Sequence, residues 1–211
     1  MKEFKSGNDV EVSKNCTFID KNVFLAEGVK ILDNVRIYGK SSIGKNSIIG
    51  PCCEITNCNI GEENKIEYSI LEGAEIGKKN KIGPFSRIRP GTKTEKNVKI
   101  GNFVEVKNSF LKEGVKASHL AYIGDAEIGK NVNIGCGVIF VNYNGKIKQK
   151  SIVGDNSFIG SNCNIIAPVT IGECAYITAG TTITKDVESE DFVIGRVRQE
   201  HKKGCAKKYL K

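Results

Sequence analysis

The chain has only two histidines, His119 and His201, and none of its eight cysteines forms a Cys-x-x-Cys pair. A metal site built on three histidines is therefore out of reach, and the spacing that marks a structural zinc site is missing. No apolar run approaches the roughly 20 residues that span a bilayer, and the segment from Met1 to Asp9 lacks the apolar stretch of a signal peptide. The expectation is a cytoplasmic protein with no membrane partner and no metal, whose cysteines are mostly free thiols filling small inward positions. Nucleic acid is not expected as a partner either. The formal charge is +8, but neither an aromatic stacking pattern nor a known recognition motif accompanies the lysines. Such a balance also suits small anionic substrates carrying phosphates. Part of it lies in His201-Lys202-Lys203 and Lys207-Lys208, which read as a solvated tail.

What the sequence does have is a beat of six. Ile31, Ile37, Ile43, Ile49 and Ile55 are evenly spaced, as are Ile70, Ile76, Ile82 and Ile88, then Val153, Ile159, Ile165, Ile171, Ile177 and Ile183. The pattern opens faintly at Val12, Phe18 and Phe24, and glycine often follows the aliphatic residue, as at Ile82-Gly83 and Ile100-Gly101. An amphipathic helix repeats near 3.6 residues and a half-buried strand near two, so a period of six points to a hexapeptide solenoid. Each hexad supplies a short strand and a corner, and about eighteen residues close a triangular coil of parallel β-helix. The expected division is one β-helix over residues 1–194 and a short basic tail over 195–211.

The beat breaks in two places, and breaks in a repeat are where function tends to sit. One is Arg87-Ile88-Arg89-Pro90-Gly91-Thr92, after which the next core slot falls on Thr94. The other runs from Val141 through Asn142-Tyr143-Asn144-Gly145 to Lys150, whose Asn-Gly step predicts an extruded loop. Three hexads separate Arg89 from Lys107, so the two should stack one coil apart, about 4.8 Å, on the same face. Cations that close repel unless an anion lies between them; a phosphate would satisfy both, while the plain alternative is that both reach into solvent. His119 lies inside the coil region in Ser118-His119-Leu120-Ala121-Tyr122. A neutral imidazole there could take a proton from an attacking amine, or be an ordinary surface residue.

From Ile82 to about Gln199 the chain resembles the C-terminal acetyltransferase domain of the bacterial bifunctional N-acetylglucosamine-1-phosphate uridyltransferase and glucosamine-1-phosphate N-acetyltransferase. The resemblance rests on Gly83-Pro84-Phe85-Ser86-Arg87-Ile88-Arg89-Pro90-Gly91, on Gly101-Asn102-Phe103-Val104-Glu105-Val106-Lys107 and on His119-Leu120-Ala121-Tyr122-Ile123-Gly124-Asp125. Asn142-Tyr143-Asn144-Gly145, Ala167-Pro168-Val169-Thr170-Ile171-Gly172 and Ala179-Gly180-Thr181-Thr182 extend it. It implies an all-β left-handed parallel β-helix, a homotrimer with active sites between subunits, and acetyl transfer from acetyl-CoA to the amine of glucosamine 1-phosphate without a metal, for UDP-N-acetylglucosamine synthesis.

The resemblance also assigns roles. His119 matches the general base; Arg89, Lys107, Tyr122 and Asn133 match positions that hold the amino sugar phosphate, with Lys148 a further candidate. Cys136, Asn142, Tyr143, Ser161, Ala179 and Arg196 match positions that contact acetyl-CoA. There are departures. Asn144 stands where the family loop usually has aspartate, and Cys136 where alanine is usual. The Gly-rich loop of the family's nucleotidyltransferase domain is missing, so uridylyl transfer is not expected of this chain. An acetyltransferase for another amino sugar or a nucleotide-linked amino sugar, and a non-catalytic trimeric scaffold, are the alternatives.

Overall fold

Short strands joined by tight corners can bury aliphatic side chains only by stacking coil upon coil, and the computed structural model, which describes residues 4–210, has that architecture. Residues 1–3 and 211, the extreme ends of the two expected spans, lie outside the described residues. Every pairing between strands is parallel, and equivalent residues of successive coils align. Ile31, Ile49, Ile66, Ile82 and Ile100 form one inward column, on face I. Ile37, Ile55, Leu71, Ile88 and Val106 form a second, on face II. Leu25, Ile43, Ile60, Ile76, Thr94 and Leu111 line face III. All are buried, each aliphatic side chain contributing about 1.5–3 kcal/mol. The result is an all-β parallel solenoid with, among the described residues, ten stacked strands on face III, consistent with the left-handed β-helix.

The beat of six is right for most core positions and wrong for three. Ile70 is 46% exposed and its neighbour Leu71 is buried, because the steps from Ile66 to Leu71 and from Leu71 to Ile76 are one residue short of a hexad. Phe18 and Phe24 face outward at 51% and 47% exposure, leaving Leu25 in the core. The cysteines also depart from expectation. All eight are free, but only Cys53, Cys58 and Cys163 are buried. Cys16, Cys52 and Cys174 occupy corners with φ of 52°, 54° and 56°, where the turn of the chain carries the side chain outside the coil. At Cys53, by contrast, burial pushes the thiol up to about 11.

Two irregularities position everything that follows. Most strands have two or three residues, whereas Lys99–Lys107 and Lys116–Gly124 have nine each and run through a corner without a break. They fuse faces I and II into one 19-stranded sheet. The second is the loop. After buried Phe140 the chain leaves the coil, turns at Gly145 (φ 94°), closes an antiparallel bridge between Tyr143 and Lys148, and re-enters at Ser151. The Asn144 Oδ1 accepts from the Lys146 and Ile147 amides at 3.0 Å each, which holds the turn. Thr94 fills its core slot without strain, its hydroxyl accepting from Gly77 N at 3.1 Å and Asn80 Nδ2 at 2.8 Å.

Among the described residues the last strand is Phe192–Val193, and a single 3-10 turn, Cys205–Lys208, follows. Among the described residues no helix is long and apolar enough to cross a membrane. Leu71→Ala should cost about 2–5 kcal/mol in denaturant unfolding. Ile70→Ala should change stability by no more than about 0.5 kcal/mol; equal costs would mean that the two residues share the core.

Candidate active site

The uninterrupted strands carry His119 to the junction of faces I and II, directly opposite Asn102 of the coil before it. The His119 Nδ1 lies 3.1 Å from the Asn102 Oδ1. Because a carboxamide oxygen can only accept, this contact needs the proton on Nδ1 and leaves the Nε2 lone pair free. His119 is exposed, so that lone pair is accessible.

The same corner builds a column. Asn102, His119, Cys136, Ser161 and Ala179 each immediately precede the residue that turns the corner with positive φ, respectively Phe103, Leu120, Gly137, Asn162 and Gly180. Backbone bonds from Asn162 N to Cys136 O (2.7 Å) and from Gly180 N to Ser161 O (2.8 Å) tie the later members together. Cys136, Ser161 and Ala179 are small and exposed, so a shallow track extends about 14 Å from the imidazole. Arg196 crosses its far end, donating to the Thr178 hydroxyl at 2.5 Å and the Ala179 carbonyl at 3.1 Å.

Around face II lie the cations. Arg89 N donates to Val106 O at 2.8 Å, which stacks Arg89 over Lys107 in the expected register. The pair is not left to repel, however, since each has its own carboxylate. Arg89 Nη1 lies 2.7 Å from the Glu105 Oε1, and that bond raises the guanidinium's pKa further. Lys107 Nζ lies 3.5 Å from the Asp125 Oδ2. The loop brings Lys148 beside them: Lys107 first, and Arg89 more weakly, hold its ammonium below the usual lysine value, with Asp125 opposing. A dianion at this point would meet three cationic heads whose mutual repulsion it relieves.

Asp125 collects the surrounding donors. Burial pushes its carboxyl up, but hydrogen bonds from Asn108 and Asn142, together with Lys107, outweigh that and hold it below the ordinary aspartate value. Tyr122, whose hydroxyl is 3.5 Å from the Asn142 Nδ2, closes the cluster. Gly124 permits it, since a Cβ there would lie 2.5 Å from the Tyr122 hydroxyl and 2.8 Å from the Asn142 amide.

The residues singled out from the sequence therefore fall into separate groups. Arg89, Lys107, Tyr122 and Lys148 gather on face II; His119, Cys136, Ser161, Ala179 and Arg196 line the corner. Asn142 is buried against the face II cluster rather than on the corner track, and Tyr143 is exposed on the loop, its hydroxyl bonding the Gly145 carbonyl at 2.7 Å. Asn133 stands apart on face I, in register with Lys116 and Phe158. Sequence reasoning missed Asn102, Glu105, Gly124 and Asp125 as working residues. The signal was available only as register, because each touches a partner about one coil away. Among the described residues no three His, Cys, Asp or Glu side chains form a metal-ligating group.

The bacterial transferase hexapeptide family (six repeats) matches residues 22–57 and 150–185. The chain is 48% identical over 197 residues to the bifunctional protein GlmU of Clostridioides difficile (strain 630), covering 93% of this chain and 43% of that one. To the bifunctional protein GlmU of Geobacillus sp. (strain WCH70) it is 50% identical over 186 residues, covering 88% and 40%. The chain thus spans less than half the length of these relatives and corresponds to their C-terminal part. Among solved structures, the UDP-N-acetylglucosamine acyltransferase of Campylobacter jejuni overlaps with a TM-score of 0.48 at 17% identity, over 84% of this chain and 68% of that one.

Loss of the Asn102 carboxamide should release the ring. In Asn102→Ala, ring 15N shifts of His119 should move toward the Nε2-protonated tautomer that free imidazole prefers; a spectrum still reporting Nδ1–H would show that Asn102 does not set the tautomer.

Proposed function

The chain is a homologue of the GlmU proteins over nearly its whole length and carries bacterial transferase hexapeptide repeats, and on that premise we propose that it transfers the acetyl group of acetyl-CoA to the amine of glucosamine 1-phosphate. The observation that carries this reading is the pairing of Asn102 with His119, which leaves a basic nitrogen between a small-residue track and a cluster of cations. Sugar phosphate binds through Arg89, Lys107, Lys148 and Tyr122. His119 and Tyr122 lie three residues apart on the two sides of the corner at Leu120. The pantetheine arm lies along Cys136, Ser161 and Ala179, with Arg196 at its far end.

The chemistry then needs few groups. The neutral amine adds to the thioester carbonyl while Nε2 of His119 accepts its proton; the C–N bond forms, the C–S bond breaks, and the departing thiolate of CoA takes up a proton. Phosphate binding supplies orientation, so that much of the entropy of bringing two substrates together is lost before the chemical step. The reading is confined to acetyl transfer and includes no uridylyl transfer.

Assembly as a trimer is part of the proposal. Tyr68, Phe85, Phe103 and Leu120 form an exposed apolar row along the corner beside His119, at 41–59% exposure, with Phe85 and Phe103 stacked at 5.8 Å. Asn133, remote in register from the face II cluster, acts in a neighbouring copy's site. A second reading, an amino sugar bearing a larger anionic group, is favoured by a cleft of about 400 Å³ behind the loop, lined by Lys93, Lys148 and Lys150 with Asn108 and Asp125.

CoA release with glucosamine 1-phosphate, glucosamine 6-phosphate, glucosamine and UDP-glucosamine in parallel tests both readings. Activity should be confined to glucosamine 1-phosphate and fall about 10²–10⁴-fold in His119→Ala; preference for UDP-glucosamine would select the second reading, and silence on all four would point to a scaffold. Light scattering should give three times the chain mass. Acetyl-CoA should protect the wild type from inactivation by iodoacetamide and Cys136→Ala should resist it; equal inactivation of the variant would remove Cys136 from the acetyl-CoA track.

A further inference from the structure

We propose that Asp125 is a positioning residue that locks the sugar-phosphate cations and the extruded loop into one geometry, an inference that rests on the proposed function for its kinetic reading. Asp125 sits at the corner between faces II and III with φ of 51°, a conformation that aspartate tolerates better than most residues. Its side chain is only 11% exposed. The Oδ1 takes the Asn108 amide at 2.5 Å, and the Oδ2 takes the Lys107 ammonium at 3.5 Å together with the Asn142 amide.

The backbone of the same residue bonds on both sides. Asp125 N donates to Lys107 O at 3.0 Å, and Ser151 N donates to Asp125 O at 3.2 Å. Asn142 begins the loop and Ser151 ends it. One residue therefore holds the loop at its departure through a side-chain oxygen, at its return through a carbonyl, and the phosphate-binding lysine through its charge. Lys148, carried by that loop, reaches Lys107 only while both loop ends are held.

Why a carboxylate is required follows from the donors. Three side-chain N–H groups converge on two oxygens, and neither oxygen can be replaced by an amide NH₂ without setting donor against donor. In Asp125→Asn, the new Nδ2 faces either Lys107 and Asn142 or, flipped, Asn108. The substitution also leaves Lys107 uncompensated beside Arg89 and Lys148, so the cations spread. The His119–Asn102 pair is on a different corner and keeps its geometry. Affinity should therefore fall further than turnover.

The test is Asp125→Asn in the full chain, beside Asn142→Ala and the double variant. Expected is an increase of about tenfold in KM for glucosamine 1-phosphate, with KM for acetyl-CoA and kcat at saturation changed less than about threefold, and a double variant no worse for the sugar phosphate than Asp125→Asn alone. Hydrogen exchange over residues 142–150 should accelerate at least about tenfold while exchange in the coils from Ile31 to Ile66 stays unchanged. A merely structural role would instead lower kcat through lost active enzyme and would loosen the remote coils. Unchanged KM values with unchanged loop exchange, a KM for the sugar phosphate that falls, or strictly additive variants would overturn the proposal. If the wild type does not turn over glucosamine 1-phosphate, the proposed function fails, and loop exchange alone then decides the role of Asp125.

Discussion

Backbone hydrogen bonds between successive coils hold equivalent residues one strand spacing apart, about 4.8 Å, and that stacking is the constraint from which the site is made. It turns distance along the chain into adjacency: Asn102 meets His119, Arg89 meets Lys107, and Cys136, Ser161 and Ala179 fall into line. The stacking survives only while the inward slots are filled, because short strands with polar outer faces have no other reason to coil. Core and site are therefore coupled through register. A slip of one residue, as between Ile70 and Leu71, exchanges the inside of the coil for the outside, and the same slip near Lys107 would turn the lysine inward.

Electrostatics in this molecule are arranged pairwise before any ligand arrives. Stacked like charges repel, so Arg89 and Lys107 are each held by a carboxylate, Glu105 and Asp125. The half-exposed Arg89–Glu105 pair adds little to stability. The value of both pairs lies in orientation: the arms are ordered in advance, at the cost that an incoming phosphate must share them. At Lys148 the pull of Asp125 is outweighed by two neighbouring cations, Lys107 and Arg89, which depress its pKa, and so it gains most from an anion. Among the described residues, the loop that carries it is a large departure from the coil.

The corner at Phe103 and Leu120 shows how an irregularity becomes a site. Where other hexads close a corner and begin a new strand, the strands Lys99–Lys107 and Lys116–Gly124 continue, so the side chains on either side of the bend are held by a ladder on both flanks. His119 gains a fixed partner and a free nitrogen from that rigidity. Small residues below it leave a track open, whereas bulky ones would close it.

Much of this was legible in the sequence. The period of six identified the solenoid, the Asn-Gly step located the loop, and counting hexads paired Arg89 with Lys107, since each is a local property repeated along the chain. Inward or outward sense at Phe18, Phe24 and Ile70, and the exposure of Cys16, Cys52 and Cys174, were not legible, because steps one residue longer or shorter than six and left-handed corners shift a side chain without changing its neighbours in sequence. Nor were the carboxylates. Glu105 and Asp125 look like any surface acid until folding sets one against Arg89 and the other among Lys107, Asn108 and Asn142. What the sequence by itself determined was the coil, its period and its break at the loop; tertiary structure alone decided which charges meet and which face each carries, because those depend on contacts one coil away, where a single residue of register reverses the answer.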